Sequence, residues 1–390
     1  MKKLVYLVVA AFVGALAASC VDKSYDTNNL DTNATVSLEI TAEESPVSPV
    51  NELMKYDNDE AEVTQTQNES GETEITVSSP ATEPVTTEIP PQQVEQLNQG
   101  EELSLPAACD MVVKIPISKK FPKDDIFKAL DNPHFIIKVK NELGIPLKYT
   151  ATVTNKKAGK SFEIEAEIPA IPEKEISVMV SEKANLAEGK AQCVDAKIIS
   201  DKPFAEIFKD SPEELKIEDA KVSKFVEVPK SGEVPTGAVS GALEFTAQSV
   251  FPFIVKNGEP FTMRHEFDLS GADFSDFIAI TALEADIIVK HSLPLKMSLA
   301  LVEPANIFVE CPEVNPSLDG QQLTQELTVK ATCPTGATAF PKAVVDLTAT
   351  LCGNKATYAV NEDSTTISVD VKRNSEGKQL IRVTGRLGDK

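Results

Sequence analysis

After residue 30 the chain reads as a succession of short stretches in which apolar and polar residues alternate. Pro, Gly and Asn-rich turns separate them. A period of two is the signature of strands with one buried face. ATVSLEI (34–40) alternates in this way. AEVTQT and TEITVSS flank NESGE, which predicts a hairpin. Helical periodicity is scarce. FPKDDIFKAL (121–130) predicts two helical turns with Pro122 near the start, and SPEEL (211–215) fits a capping box with Ser211 as N-cap and Glu214 reaching back. The polar stretch PPQQVEQLNQGEE (90–102) reads as a long loop or domain boundary.

Two stretches repeat one another. IKVKNELGIPLKYTATV (137–153) aligns with IIVKHSLPLKMSLALV (287–302): Ile137, Val139, Leu143, Pro146, Leu147 and Lys148 match Ile287, Val289, Leu293, Pro294, Leu295 and Lys296. The first copy carries two additional residues, Gly144 and Ile145. An insertion of two preserves the inward set, because strand side chains alternate faces. Both copies predict strand, Pro-marked bend, strand. The expected fold class is therefore all-β: tandem antiparallel β-sandwich (Ig-like) modules with a few short helices, preceded by an acidic N-terminal segment. The expected limits are 1–19 for a signal peptide, 20–102 for the acidic segment, 103–235 for the first module and 236–390 for the second. Charges at alternate positions, as in KVKN and VDVKR, are expected to protect sheet edges.

The N-terminus departs from this pattern. Lys2 and Lys3 precede an apolar run from Leu4 to Leu16, then the small residues Ala17, Ala18 and Ser19, then Cys20. The run is too short to span a bilayer, and the layout is that of an export signal. Small residues ending in Cys resemble the lipobox of bacterial lipoproteins, in which the cysteine is lipidated and the chain cut before it. That family usually has Leu three residues before the Cys; Ala17 stands there. Ala15-Leu16-Ala17 is also an A-x-A cleavage site, and a cut there would release a soluble chain. The expectation is a lipid anchor at Cys20.

Composition narrows the partners. The 390 residues include 60 acidic and 38 basic ones, a net charge of −22, which argues against nucleic acid and anionic membrane surfaces. Most of the excess lies early: residues 21–105 hold 19 Asp and Glu against Lys23 and Lys55. Such an arm repels itself and extends. It reads as a stalk, as a surface-export signal through Asp22 and Asp26, or simply as a solvated segment.

The whole arrangement is similar to Bacteroides-type envelope lipoproteins, which carry a Cys near residue 20, an acidic YDxxNLDT-like segment and β modules with NP…V-x-N-x-L-G-I-P-L. Here these are Tyr25–Thr32 and Asn132-Pro133 through Leu147. The resemblance implies a cell-envelope location and a tandem β-sandwich architecture, and implies no reaction; the expected place is the outer membrane, lipid-anchored, with surface-facing and periplasmic orientations both open. A further likeness places a candidate O-glycosylation site at Ser364, in Asp363-Ser364-Thr365.

Chemistry is sparse. There is no H-E-x-x-H, G-x-S-x-G, P-loop or G-x-G-x-x-G, so no enzyme is expected and no cofactor is called for. The five cysteines after Cys20 show no C-x-x-C spacing, which argues against zinc. One disulfide among Cys311, Cys333 and Cys352 is open, as are buried free thiols. His265 and His291 fall in phase with apolar residues and read as structural; His291 aligns with Asn141, so a hydrogen bond is expected at the same inward site of both modules. His134 reads as exposed. Asp57-Asn58-Asp59-Glu60 and Asp268, Asp273 and Asp276 only hint at calcium, because the loop glycine is missing from the first set. The function expected is a non-enzymatic envelope module that binds a protein or glycan partner or serves as structure. The alternatives are a fimbrial subunit assembled by strand donation, opposed by a first Arg as late as Arg264, and a carbohydrate-binding accessory protein, opposed by the absence of Trp.

Overall fold

The computed structural model of the chain describes residues 34–40, 61–67, 73–119, 121, 123–171, 174–183, 185–225, 240–268, 277–318, 320–337, 342–359, 367–372 and 379–387. The N-terminal segment contributes strand β1 (Ala34–Ile40). There follow β2 (Glu62–Gln67), β3 (Thr73–Ser78), β4 (Val85–Ile89), helix α1 (Pro91–Asn98), β5 (Leu103–Ser104) and β6 (Met111–Lys114). Helix α2 (Asp125–Ala129) leads into β7 (His134–Asn141), β8 (Leu147–Asn155), β9 (Lys160–Ile168) and β10 (Glu175–Val180). Then come β11 (Cys193–Asp195), β12 (Lys197–Ile199), a 3-10 turn at Phe204–Phe208, β13 (Glu214–Lys224) and β14 (Gly241–Pro252). The remainder comprises β15 (Ile254–Lys256), β16 (Pro260–Asp268), β17 (Phe277–His291), β18 (Leu295–Glu303) and β19 (Phe308–Glu310). It ends with β20 (Leu323–Ala337), β21 (Lys342–Leu351), β22 (Thr357–Ala359), β23 (Ile367–Val371) and β24 (Gln379–Leu387).

The chain divides into two compact units, Tyr56–Ile254 and Val255–Lys390 together with Met1–Lys55. This differs from the expected junction at 235/236. Strand β14 begins after that line yet pairs along its length with β7, and β3 and β4 pair with β14, so they belong to the first sandwich and not to a separate acidic arm.

The first unit is a two-sheet sandwich. One sheet has the order β11-β10-β7-β14-β3-β2, with β4 also on β14; the other is β12-β9-β8-β13-β5, with β6 also on β13. Alternation explains which faces meet. Phe135, Ile137 and Val139 of β7 and Leu243, Phe245 and Ala247 of β14 are buried, as are Leu147, Tyr149, Ala151 and Val153 of β8. The Tyr149 ring stacks on Phe245 at 5.5 Å, joining the two sheets through the core. One end of this core is aromatic. Phe127 of α2 stacks on Phe208 of the 3-10 turn at 4.4 Å, and Phe208 also meets Phe135 at 5.7 Å and Phe251 at 6.0 Å. Each fully buried ring contributes about 1.5–3 kcal/mol relative to exposure.

The second unit has the sheet β1-β24-β17-β20-β19, with β23 also on β17, and a smaller sheet β16-β21-β18. A two-stranded pair, β15-β22, accompanies them. Ala285, Ile287 and Val289 of β17 and Leu295 and Met297 of β18 are buried on the alternating pattern.

The sequence repeat proves to be a sheet-switching elbow. In the first unit the chain passes from β7 in one sheet to β8 in the other; in the second it passes from β17 to β18 in the same way. The equivalence extends to the neighbours. Strand β7 lies between β10 and β14, as β17 lies between β20 and the pair β23 and β24. Strand β13 lies between β8 and β6, as β21 lies between β18 and β16.

Three local expectations are corrected. The stretch 90–102 is not a loop: it holds α1, because Val94 and Leu97, three residues apart, are buried on one face and Pro91 stands at the helix start, where its missing N–H costs nothing. SPEEL is not a helix. Glu214 opens β13, whose buried Leu215, Ile217, Ala220 and Val222 override the capping pattern, with a bulge between Glu218 and Lys221 restoring the phase. The lysines of KVKN do not guard an edge, since β7 is central. They line its outer face, where Lys138 pairs with Glu175 at 3.1 Å and Lys140 with Glu142 at 2.8 Å. The hairpin around NESGE is present as the antiparallel pair β2–β3. The helix expected over 121–130 spans only Asp125–Ala129.

Candidate functional site

The two elbows carry the most specific polar geometry. At the first, Asn141 is buried at the end of β7. Its Nδ2 donates to the Ile145 carbonyl at 2.8 Å, and its Oδ1 accepts from the Leu143 N–H at 3.1 Å. At the second, His291 is buried at the end of β17, and its Nδ1 accepts from the Leu293 N–H at 3.2 Å. The same backbone donor is satisfied by the aligned residue in both units, as the sequence led us to expect. With Nδ1 an acceptor, the neutral ring carries its proton on Nε2. That atom is buried without a hydrogen bond of ordinary geometry. Burial lowers the His291 pKa, and the backbone of Asn315 and Leu293 only partly opposes it.

His134 is buried, not exposed as expected. It is the first residue of β7, and its Nδ1 donates to the Asn132 carbonyl at 3.0 Å. Burial lowers its pKa as well. His265 stands on β16 opposite Val345.

The other candidates do not converge. Cys20, Ser364, the Asp57–Glu60 cluster, Asp273 and Asp276 lie outside the described residues. Asp268 closes β16. No disulfide joins Cys311, Cys333 and Cys352. The three stand at the ends or within separate strands, and their sulfurs take backbone or amide partners instead: Cys311 donates to the Pro312 carbonyl, Cys352 to the Thr350 carbonyl, and Cys333 accepts from Asn306, each at 3.6 Å. Burial pushes the Cys311 thiol up to about 11, so it stays protonated at neutral pH. Among the described residues no group of three or more His, Cys, Asp or Glu is placed to hold a metal ion, and no helix is long and apolar enough to cross a membrane.

Sequence reasoning missed a charged cluster on the outer face of the second unit. Arg382 of β24 reaches across to β17, with Nη2 at 2.5 Å from Glu284 Oε1 and 3.1 Å from Asp286 Oδ2. Thr328 of β20 donates to Asp286 Oδ1 at 2.7 Å. The Thr328 hydroxyl and the guanidinium hold the Asp286 carboxyl below its usual range. On the opposing sheet Arg264 grips Asp346 with two bonds, 2.7 and 3.0 Å, between residues directly opposite on β16 and β21. The signal was present as polar residues at alternate positions, Glu284 and Asp286; their partner lay about a hundred residues away. The ion pairs join β24 to β17 and β16 to β21, the Thr328 hydroxyl adds β20 to the first, and such cross-strand pairs stabilise sheets.

The edge of the larger sheet completes this surface. Strand β1 pairs antiparallel with β24 over seven positions, from Ala34↔Gly385 to Ile40↔Gln379. Among the described residues β1 is an outermost strand of that sheet.

These features define an all-β, sandwich-type protein of two repeated units. Among solved structures the chain is similar to a Parabacteroides distasonis protein described as secreted, at 11% identity and a TM-score of 0.42, covering 91% of this chain and 100% of that one. It is also similar to the N-terminal CBM22 tandem domain of Xyn10C from Paenibacillus barcinonensis, at 8% identity and a TM-score of 0.16, covering 92% of this chain and 99% of that one. No protein-family model and no curated protein matches it.

Proposed function

We propose that the protein is a non-enzymatic, lipid-anchored component of the outer membrane, attached through Cys20 and built to present or brace sandwich units there. The observation that carries this reading is the N-terminal sequence, an apolar run of export length that ends in Ala17-Ala18-Ser19-Cys20. Two or more acyl chains on that cysteine would anchor the chain stably, at about 0.8 kcal/mol per buried CH₂. The buried His134 and His291 serve backbone groups, and the charged clusters bridge strands, which suits a binding or structural module. The described aromatic pairs lie in the core of the first unit, which favours a protein partner or a structural role over a sugar-stacking face. The test is metabolic labelling with a clickable fatty acid in cells making the wild type or Cys20→Ala, followed by protease shaving of intact cells. Label that disappears in the variant, with shaving of the wild type, is the expected result. Label on neither protein would replace the anchored model with cleavage after Ala17 and a soluble chain.

A further inference from the structure

Among the described residues, the strand beside β24 at the edge of the second unit's larger sheet is supplied by the N-terminal segment. In the first unit β3 precedes the sandwich it completes and pairs with β14. In the second unit the position is reached by β1, which lies upstream of the entire first unit. Only three residues, 257–259, separate β15 from β16, too few for a seven-residue counterpart of β1 there.

Register and sequence agree that β1 is the counterpart of β3. The repeat aligns Ile137 with Ile287, and so Phe135 with Ala285. Phe135 pairs with Ser249 and Ala285 with Ile381, which makes Phe251 the equivalent of Val383. Phe251 pairs with Val77, and Val383 pairs with Val36. Those two valines are the centres of identical triplets, Thr76-Val77-Ser78 and Thr35-Val36-Ser37. The triplet match and the pairing register were obtained from different observations, and they coincide without a shift.

Strand β1 is therefore a constituent of the second unit that the chain delivers from a distance. Among the described residues it has one neighbour, β24, and a single ladder joins the two. Without it β24 would present a row of unpaired backbone groups, the kind of edge that recruits another strand. The same seven-residue ladder forms whether β1 comes from its own chain or from another, which is the condition under which swapping costs least. We propose that the β24 edge is a strand-acceptor site and that copies of this chain join by exchanging Ala34–Ile40. The partner is a second copy, and the recognition is main-chain pairing in the register seen here. The exchange needs no lipid, so it stands or falls independently of Cys20.

The test uses two single variants of the full mature chain, Thr35→Cys and Thr384→Cys. These positions face each other in the ladder, and directly opposed residues have the Cα spacing a disulfide requires. The two proteins are mixed, incubated at rising concentration and oxidised, and the linked peptides are identified by mass spectrometry, which separates this bond from any made by the native thiols. The expected result is a disulfide between positions 35 and 384 in the mixture, necessarily between copies, in a fraction that rises with concentration. A bond that closes within one chain of the Thr35→Cys/Thr384→Cys double variant, with none in the mixture, overturns exchange. Absence of the bond in both overturns the acceptor site itself. Ile40→Cys with Gln379→Cys, at the other end of the ladder, repeats the test should either threonine variant misfold.

Discussion

Asn141 and His291 show how one backbone requirement can be met by two side chains with different consequences. Each accepts from the N–H two residues on, but only the histidine can take up a proton. Burial lowers the pKa of His291 and of His134 below the ordinary value of about 6.5. The unfolded chain therefore binds protons first as pH falls. Stability is fully present above about pH 6.5, declines below it, and levels off once the folded-state pKa values are passed. Carboxylates such as Glu218, held low by Lys216, add their own losses in more acid solution, so the window just below pH 6.5 belongs to the histidines. His291→Asn keeps an acceptor for Leu293 and should flatten part of this decline while changing little at pH 7.5. Asn141→Leu should cost about 3 kcal/mol at any pH, because it strands the Leu143 N–H and the Ile145 carbonyl. Denaturant titrations from pH 5.5 to 8 check both; a pH slope in His291→Asn equal to that of the wild type would show that the other groups carry it. The in-phase placement of His291 was legible in the sequence. The burial of His134 was not, because it depends on packing around the first residue of a strand.

At the level of elements, alternation located most strands, including both arms of each elbow, and failed where two local signals competed. In 211–215 a capping motif of five residues was outweighed by eleven residues of strand, since capping contributes about 1 kcal/mol and the buried side chains of β13 several times that. In 90–102 the apolar residues were only Val94 and Leu97, too few to mark a helix by period, yet enough to seat one turn against the sandwich. The elbow also has a requirement that periodicity does not reveal. Gly241 begins β14 beside the turn, and a Cβ there would sit 3.0 Å from the Glu142 carbonyl oxygen and 3.2 Å from Leu143 Cδ2. Gly241→Ala should therefore destabilise by about 1–2 kcal/mol, as overpacking does. Gly100→Ala meets no neighbouring atom and is strained only by its positive φ, so the two variants separate crowding from backbone conformation. Thermal melts that leave Gly241→Ala as stable as wild type would mean the turn yields freely.

On the scale of the molecule, the repeat was legible because both copies keep the same apolar phase, and the all-β class followed from it. The unit boundary and the destination of β1 were not. Strand β1 alternates like any other strand, and nothing in its own seven residues points to a partner more than 300 positions downstream; the three-residue match to β3 gains meaning only once both registers are known. The dependence of the second unit on β1 can be measured without removing it. In an antiparallel ladder successive residues point their N–H groups alternately toward and away from the partner. Of Val36→Pro and Ser37→Pro, one must delete a donor facing β24, and the other deletes a donor facing outward, where proline is tolerated on an edge strand. Loss of a ladder bond of about 1 kcal/mol should speed hydrogen exchange of the β24 amides roughly fivefold to tenfold in one variant. The other variant should leave β24 close to wild type, and β14 should be unaffected in both. Two silent variants would mean that β24 is held by β17 alone and that β1 adds nothing to the second unit. One silent and one responsive variant would establish that this part of the N-terminal segment is bonded into the sandwich at its edge and is not only a solvated arm.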